Sequence, residues 1–287
     1  MGRQIRRALI FVNLNKEDTE ALAREVSADL EARGIPVDVV PVREGGVPQV
    51  KADTDLAITL GGDGTLLYGA RTLAAASGPG VPILAVNLGD FGFITEIGRQ
   101  EWKRALDEYL AGRLGVSRRI MFEVEVYRDG RPLCCYSGLN DAVIRSMDFS
   151  RIIRLRIHLA ATAVARYRAD GVILATPTGS TAYSLSAGGP ILHPEMEAFI
   201  LTPICPFTLS NRPMVVPARE VLEVEVEERQ RAGIVLVIDG QENVPLQPKD
   251  RVLFRKSDRT TLIILSDQRN FYEVLASKLN WAGEPSA

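Results

Sequence analysis

Two stretches of this chain hold residue types whose spacing can do chemistry. The first is Gly61-Gly62-Asp63-Gly64-Thr65, directly after an apolar run at residues 56–60 that reads as a buried strand. Leu66, Leu67 and Ala70 follow with helical spacing, so the loop joins a strand to a helix start. Ligands of open α/β sheets bind at the carboxyl ends of strands. Glycines there let backbone N–H groups approach an anion with no Cβ in the way. The helix start adds a dipole that favours phosphate. A carboxylate among phosphates is unfavourable unless it meets a metal or a hydroxyl, and a sugar hydroxyl that must lose its proton satisfies that condition. The alternative is a tight turn in which the glycines serve geometry and Asp63 caps the helix.

The second stretch spans residues 170–190. Asp170-Gly171 opens it and an apolar strand follows at residues 172–175. Pro177 and Gly179 then break the strand, and seven hydroxyl side chains fall between Thr176 and Ser186. That is more than a simple connection needs, and it suits a surface that must hydrogen-bond a base, a ribose and a diphosphate. Tyr183 offers a flat face for stacking a purine. A helix with a Ser/Thr-rich start is the plainer alternative.

Composition narrows the classes. The chain has 287 residues with a formal net charge of -2, so the basic excess typical of nucleic-acid binders is missing. Hydrophobic residues make up 46% and charged residues 24%, which is ordinary globular composition. Cys134, Cys135 and Cys205 are too few and too odd in number for a disulfide framework. With His158 and His193 as the remaining soft ligands, no metal site is expected, and His158 reads as a solvated strand residue. No apolar stretch approaches the ~20 residues of a membrane span, and the apolar run at residues 8–12 is too short for a signal-peptide core. A soluble, cytoplasmic protein is expected. Neither G-x-G-x-x-G after the first strand nor G-x-x-x-x-G-K-[ST] anywhere is present, so neither a standard dinucleotide fingerprint nor a P-loop is available.

The elements that must position these stretches fall into two patterns. Short apolar strands at residues 8–13, 37–42, 56–60 and 81–86 alternate with helices. Leu22, Val26 and Leu30 mark one helix, closed by Gly34, and residues 101–110 form another. This predicts a parallel sheet covered by helices. After about residue 115 the period becomes two. Phe122, Val124 and Val126 alternate with Glu123 and Glu125, Asp129-Gly130 marks a hairpin turn, and Leu222, Val224 and Val226 alternate with glutamates. Antiparallel sheets with one wet face follow. Phe271, Val274, Leu275 and Leu279 predict a final helix, and the tail from Gly283 is expected to fray. The domains are placed at 1–115, joined by the helix 266–282, and at 116–265.

Taken in order, the GGDGT block, Asn140-Asp141, the TPTGSTAYSLSAGGP block and Ile238-Asp239-Gly240-Gln241 resemble the bacterial NAD kinases over nearly the whole chain. The glycine loop is shared with diacylglycerol and sphingosine kinases and some phosphofructokinases, whereas the second block is specific. The resemblance implies an α/β plus all-β architecture: an N-terminal Rossmann-like domain with a parallel sheet and a C-terminal antiparallel β-sandwich. It implies transfer of the γ-phosphoryl group of ATP, carried with a divalent cation such as Mg²⁺, to the 2′-hydroxyl of the adenosine ribose of NAD.

By the same resemblance, Asp63 is the general base, and Gly61, Gly62, Gly64 and Thr65 hold phosphate. Asn140 and Asp141 contact the dinucleotide, and Asp170 lies by the nicotinamide end. Thr181, Ala182, Tyr183, Ser184, Leu185 and Ser186 line its pocket. Arg151, Arg168 and Gln241 match contact positions, and a homodimer or homotetramer is implied. Arg168 lies two residues before Asp170, so on an extended strand both side chains face the same way. That makes Arg168 a candidate selector of oxidised over reduced dinucleotide. Two positions depart from the pattern: Asp141 stands where many members have glutamate, and Phe207 where many have histidine. A lipid kinase sharing the loop and a non-catalytic NAD sensor are the rival readings. The intact Asp63 favours an enzyme.

Overall fold

Strong β-formers build the strands of the N-terminal part, and amphipathic runs build the helices between them. The computed structural model describes residues 3–14, 18–42, 48–76, 80–89, 92–148, 151–208 and 211–281, so the tail from Gly283 lies outside the described residues. Two compact units emerge, Met1–Arg118 with Thr261–Ala287, and Arg119–Thr260.

In the first unit the elements run β1 (Ala8–Val12), α1 (Thr19–Ala32), β2 (Val37–Pro41), β3 (Leu56–Gly61), α2 (Asp63–Ala75), β4 (Pro82–Asn87), β5 (Ile97–Gly98) and α3 (Trp102–Leu110). The strands lie parallel in the order β2-β1-β3-β4-β5. Ile10, Ile58 and Leu84 face Leu22, Val26 and Leu30 of α1 and Trp102 and Leu106 of α3. The opposite face receives α2. Phe11 meets Tyr68 edge-on at 5.9 Å, and a Cβ on Gly69 would lie 3.1 Å from both Phe11 and Thr59. Helices therefore cover both faces of the parallel sheet, which is Rossmann-like layering. Gly34 ends α1 at φ +77. Its N–H donates to the Glu31 carbonyl, and that of Ile35 donates to the Leu30 carbonyl, a Schellman closure.

The second unit is built from β6 (Val116–Arg128), β7 (Arg131–Gly138), β8 (Asp141–Ser146), β9 (Ile153–Leu159), β10 (Thr162–Ala169), β11 (Gly171–Ala175), α4 (Tyr183–Ser186), β12 (Ala198–Ile204), β13 (Met214–Pro217), β14 (Leu222–Val226), β15 (Ile234–Ile238), β16 (Glu242–Leu246) and β17 (Arg251–Ile264). Asp129 and Gly130 both take positive φ in the β6–β7 turn, the twist that matches a two-residue hairpin. One antiparallel sheet has the order β13-β12-β11-β8-β15-β16, and β10-β9-β14-β17 form the other layer. Their inner faces share one core. Ile153, Leu155, Leu222 and Val224 pack with Ile144, Leu174, Phe199 and Leu236. The outer face of β9 and β14 is polar, but His158 is half-buried there, 3.7 Å from Glu225. Its expected solvation is corrected accordingly, because the neighbouring strand's long side chains cover it.

The chain passes between the units inside β6 and β17. The last turn of β17 returns to the first unit, where Leu262 and Ile263 pair in parallel with Pro82 and Ile83. Helix α5 (Phe271–Lys278) belongs to the same unit and starts with a capping box between Asn270 and Glu273.

Phe254 is the centre of the sandwich core, stacked on Phe122 at 4.6 Å and edge-on to Phe199 at 4.7 Å. Phe254→Ala should destabilise the second unit by about 3–5 kcal/mol, and Phe254→Leu by much less. Urea unfolding followed by circular dichroism measures both; an unchanged midpoint for the alanine variant would mean that this ring is not central.

Candidate functional site

Asp63 is the first residue of α2, with Gly62 as the extended residue before it. Its carboxylate does not cap its own helix. It turns instead to the segment after β4. Oδ2 accepts from the Phe93 N–H at 2.9 Å, and Oδ1 accepts from the Thr95 N–H at 3.1 Å and the Thr95 hydroxyl at 2.8 Å. The capping alternative is therefore excluded. Gly61 also has a packing role. A Cβ on Gly61 would lie 2.0 Å from Thr65 Oγ1, so Gly61 makes room for the first turn of α2. The Thr65 N–H donates to the Gly62 carbonyl at 2.9 Å, committing it to the helix start. Gly64 lies in that same first turn.

In the second unit the Asn140-Asp141 pair sits where β8 begins. Both residues are buried. The pair is held by Asp239, at the turn between β15 and β16. Asp239 Oδ1 accepts from the N–H groups of Asn140 and Asp141 at 2.8 and 3.1 Å, and Oδ2 accepts from Leu139 N–H at 2.9 Å. In return the Asp239 N–H donates to the Asp141 carbonyl at 2.9 Å. Asp239 and Gly240 are both left-handed, with φ 48 and 66, which bends the hairpin end back onto β8. The Asn140 carbonyl accepts from Thr176 N–H at 2.9 Å. A Cβ on Gly179 would lie 2.1 Å from that same oxygen, so only glycine fits. Asn140 Oδ1 is buried and has no hydrogen-bond partner in the protein. Burial, with Asp239 close by, pushes the Asp141 carboxyl up to about 7.

The hydroxyl-rich block divides between framework and surface. Thr176 Oγ1 donates to the Leu139 carbonyl at 2.5 Å, Ser180 Oγ accepts from Leu192 N–H at 3.0 Å, and Ser184 pairs with Thr202 at 3.0 Å. Thr181 is buried and reaches the Thr178 carbonyl at 3.4 Å. Ala182 and Leu185 are half-buried and Ser186 is exposed. Tyr183 is 44% exposed. A cavity of about 220 Å³ opens here, lined by Asn140, Asp141, Arg145, Ala182, Tyr183 and Asp239. The structure thus brings Asn140, Asp141, Ala182 and Tyr183 together. The Ser184 hydroxyl is engaged elsewhere.

The remaining candidates lie at other points of this unit. Arg151 is exposed and donates to the Arg231 carbonyl. On β10, Arg168 is exposed and lays its guanidinium over the Phe207 ring, 4.9 Å from the centroid, a cation–π contact. Leu209, in the segment where Phe207 replaces histidine, lies outside the described residues. Asp170 is exposed between β10 and β11, and its carbonyl accepts from Ser146 N–H. Gln241 donates its N–H to the Ile238 carbonyl and stabilises the hairpin end. Sequence reasoning did not single out Asp239, Phe93 or Thr95. Asp239 stands inside a quoted motif beside a turn glycine, and that was its signal. Thr95 carried none, because its role depends on which strands are neighbours.

The chain matches the ATP-NAD kinase N-terminal domain over residues 3–114 and the ATP-NAD kinase C-terminal domain over residues 139–266. An NAD kinase of Treponema denticola is 38% identical over 98% of this chain and 99% of its own length. One from Geobacter sulfurreducens is 39% identical over 96% and 99%. Among solved structures, yeast NADH kinase complexed with NADH superposes with a TM-score of 0.85 at 24% identity, covering 98% of this chain and 89% of its own. An Archaeoglobus fulgidus NAD kinase in complex with ATP gives 0.74 at 25% identity, covering 95% and 99%. Both domain matches and relatives that align end to end show that this chain belongs to the ATP-NAD kinase family.

Proposed function

We propose that this protein is an NAD kinase that moves the γ-phosphoryl group of ATP to the 2′-hydroxyl of the adenosine ribose of NAD, giving NADP and ADP. The observation that carries the reading is Asp63, a carboxylate at a strand-to-helix junction held by a neighbouring loop instead of capping its helix. Asp63 takes the O2′ proton as the oxygen attacks the γ-phosphorus, and the bond to the β–γ bridging oxygen breaks. In a loose transition state, positioning and charge neutralisation supply most of the acceleration. The start of α2 faces the phosphates with its positive dipole end. The donor is ATP with a divalent cation, for which we propose Mg²⁺; it keeps several waters and takes few protein ligands. The ATP bound by the archaeal relative supports this donor.

The cavity at Asn140, Asp141 and Tyr183 takes part of the dinucleotide. Asn140 Oδ1 is an acceptor that a ribose hydroxyl or an exocyclic amine can satisfy, and the Tyr183 ring can stack on a base. Arg168 and Asp170 are assigned to the nicotinamide end.

Asp63→Asn is the direct test. Losing a positioned general base lowers kcat about 10²–10⁴-fold, while the NAD dissociation constant stays near wild type. The amide nitrogen would face the Phe93 N–H, so some stability is lost, about 1–3 kcal/mol. Turnover is therefore measured well below the melting temperature. A normal kcat would sink the assignment.

Asp141 gives a pH signature. Its folded-state pKa is raised to about 7, so between the ordinary carboxylate range and pH 7 the folded protein binds more protons than the unfolded chain. Stability from this group falls as pH rises through that window. Asp141→Asn is neutral throughout, so its melting temperature should gain on wild type from pH 5 to pH 8, by the equivalent of a few kcal/mol. Parallel melting curves across that range would refute the burial of a titrating Asp141.

We further propose a homodimer or homotetramer. Leu133, Val164 and Val215 stand exposed on strands of the second unit, and a second copy would cover such surface. Light scattering at micromolar concentration should return two or four chains per particle. A single-chain mass would remove the idea.

A further inference from the structure

Strands β3 and β4 are parallel neighbours, with Gly61 opposite Asn87. The loops that leave their carboxyl ends must therefore run side by side. Leu88 N–H continues the ladder by donating to the Gly61 carbonyl at 2.8 Å. Further along, Gly92, Phe93 and Thr95 lie against Asp63. A Cβ on Gly92 would lie 1.9 Å from Asp63 Oδ1, so no side chain can stand there while the carboxylate keeps its place.

The donors are distributed unequally. Oδ1 receives two, the N–H and the hydroxyl of Thr95 at 3.1 and 2.8 Å. Among the described residues, Oδ2 receives one, the Phe93 N–H at 2.9 Å. A carboxylate offers about two acceptor sites on each oxygen. Among the described residues, Thr95 thus fills Oδ1 and Oδ2 keeps one site open. Thr95 is 0% exposed, so water does not compete for its hydroxyl. Any rotation short of a half-turn, which merely exchanges the two equivalent oxygens, would break these contacts.

We infer that Thr95 is a positioning residue of the phosphoryl transfer: it anchors Oδ1 of Asp63 and leaves Oδ2 as the oxygen that receives the ribose proton. The inference rests on the NAD kinase reading with Asp63 as base. The O2′–H proton moves to Oδ2, the electron pair it leaves forms the new O–P bond, and the bridging oxygen departs with ADP. A base held in one orientation has its proton acceptor already aimed, and orientation of this kind contributes strongly to rate.

Thr95→Val keeps the shape and removes only the hydroxyl donor. Its kcat should fall about tenfold to a hundredfold, the size of a lost hydrogen bond to a charged group, with the NAD dissociation constant unchanged. Thr95→Ser returns the hydroxyl and should restore most of the turnover. Gly92→Ala displaces the same carboxylate without removing either Thr95 donor and should also lower kcat more than NAD affinity, which keeps the inference testable if the valine variant folds poorly. Full turnover in Thr95→Val overturns it. So does a serine variant as slow as the valine one, since that would make the methyl group the part that matters. Asp63→Asn, assayed beside them, separates the two layers. If it turns over normally, the base assignment itself fails. If it is slow while Thr95→Val runs at full speed, only the positioning role fails.

Discussion

The second unit's site depends on one buried carboxylate. Asp239 accepts from three consecutive backbone N–H groups, those of Leu139, Asn140 and Asp141. Buried N–H groups without partners cost about as much as a lost hydrogen bond. Here the chain enters β8, and the two oxygens of a single side chain from another hairpin meet all three N–H groups. A buried carboxylate in turn carries a penalty of its own unless donors meet it. Each side removes the other's penalty, so the arrangement holds only as a whole.

From that clasp the geometry spreads. With its N–H on Asp239 and its carbonyl on Thr176, Asn140 has its main chain fixed at both ends. Gly179 rests against the same carbonyl, which ties the hydroxyl-rich block to the strand beside it. Of the Asn140 side chain, the oxygen is the atom with no protein partner. The first unit uses the same device in a second form. There Asp63 is the group being held, and backbone N–H groups of one loop do the holding. In one unit a carboxylate organises a backbone; in the other a backbone orients a carboxylate.

Much of this was legible in the sequence, and the limits are physical. Hydrophobic period told parallel strands from antiparallel ones, because burial on two faces and on one face leave different marks. Gly34 and the Asp129-Gly130 turn were readable because left-handed backbone restricts residue choice. Asp63 was singled out by an unusual charge in a glycine loop. Thr95 was not, since a threonine 32 positions further on is near Asp63 only once β3 and β4 are known to be neighbours. Asp239 lay in plain view as part of a turn, but its partners are about a hundred residues earlier. Gly61 has a packing reason that the sequence did not show: its missing side chain makes space for Thr65.

The hydroxyl-rich block shows why composition overstates contact with a ligand. Counting hydroxyls between Thr176 and Ser186 suggested a binding surface throughout. Yet Thr176, Ser180 and Ser184 bond to the Leu139 carbonyl, Leu192 and Thr202 and are fully buried. A segment that turns through a 3-10 stretch and one helical turn leaves many backbone groups without ladder partners. Three of its hydroxyls reach across to other segments, to the Leu139 carbonyl, the Leu192 N–H and the Thr202 hydroxyl, and so tie the bent segment to its neighbours. A site assembled from exposed serines alone would lose rotamer freedom on binding. One whose serines are already engaged presents Tyr183 and Asn140 from a rigid base, and the ordering cost is met in folding instead of at the ligand.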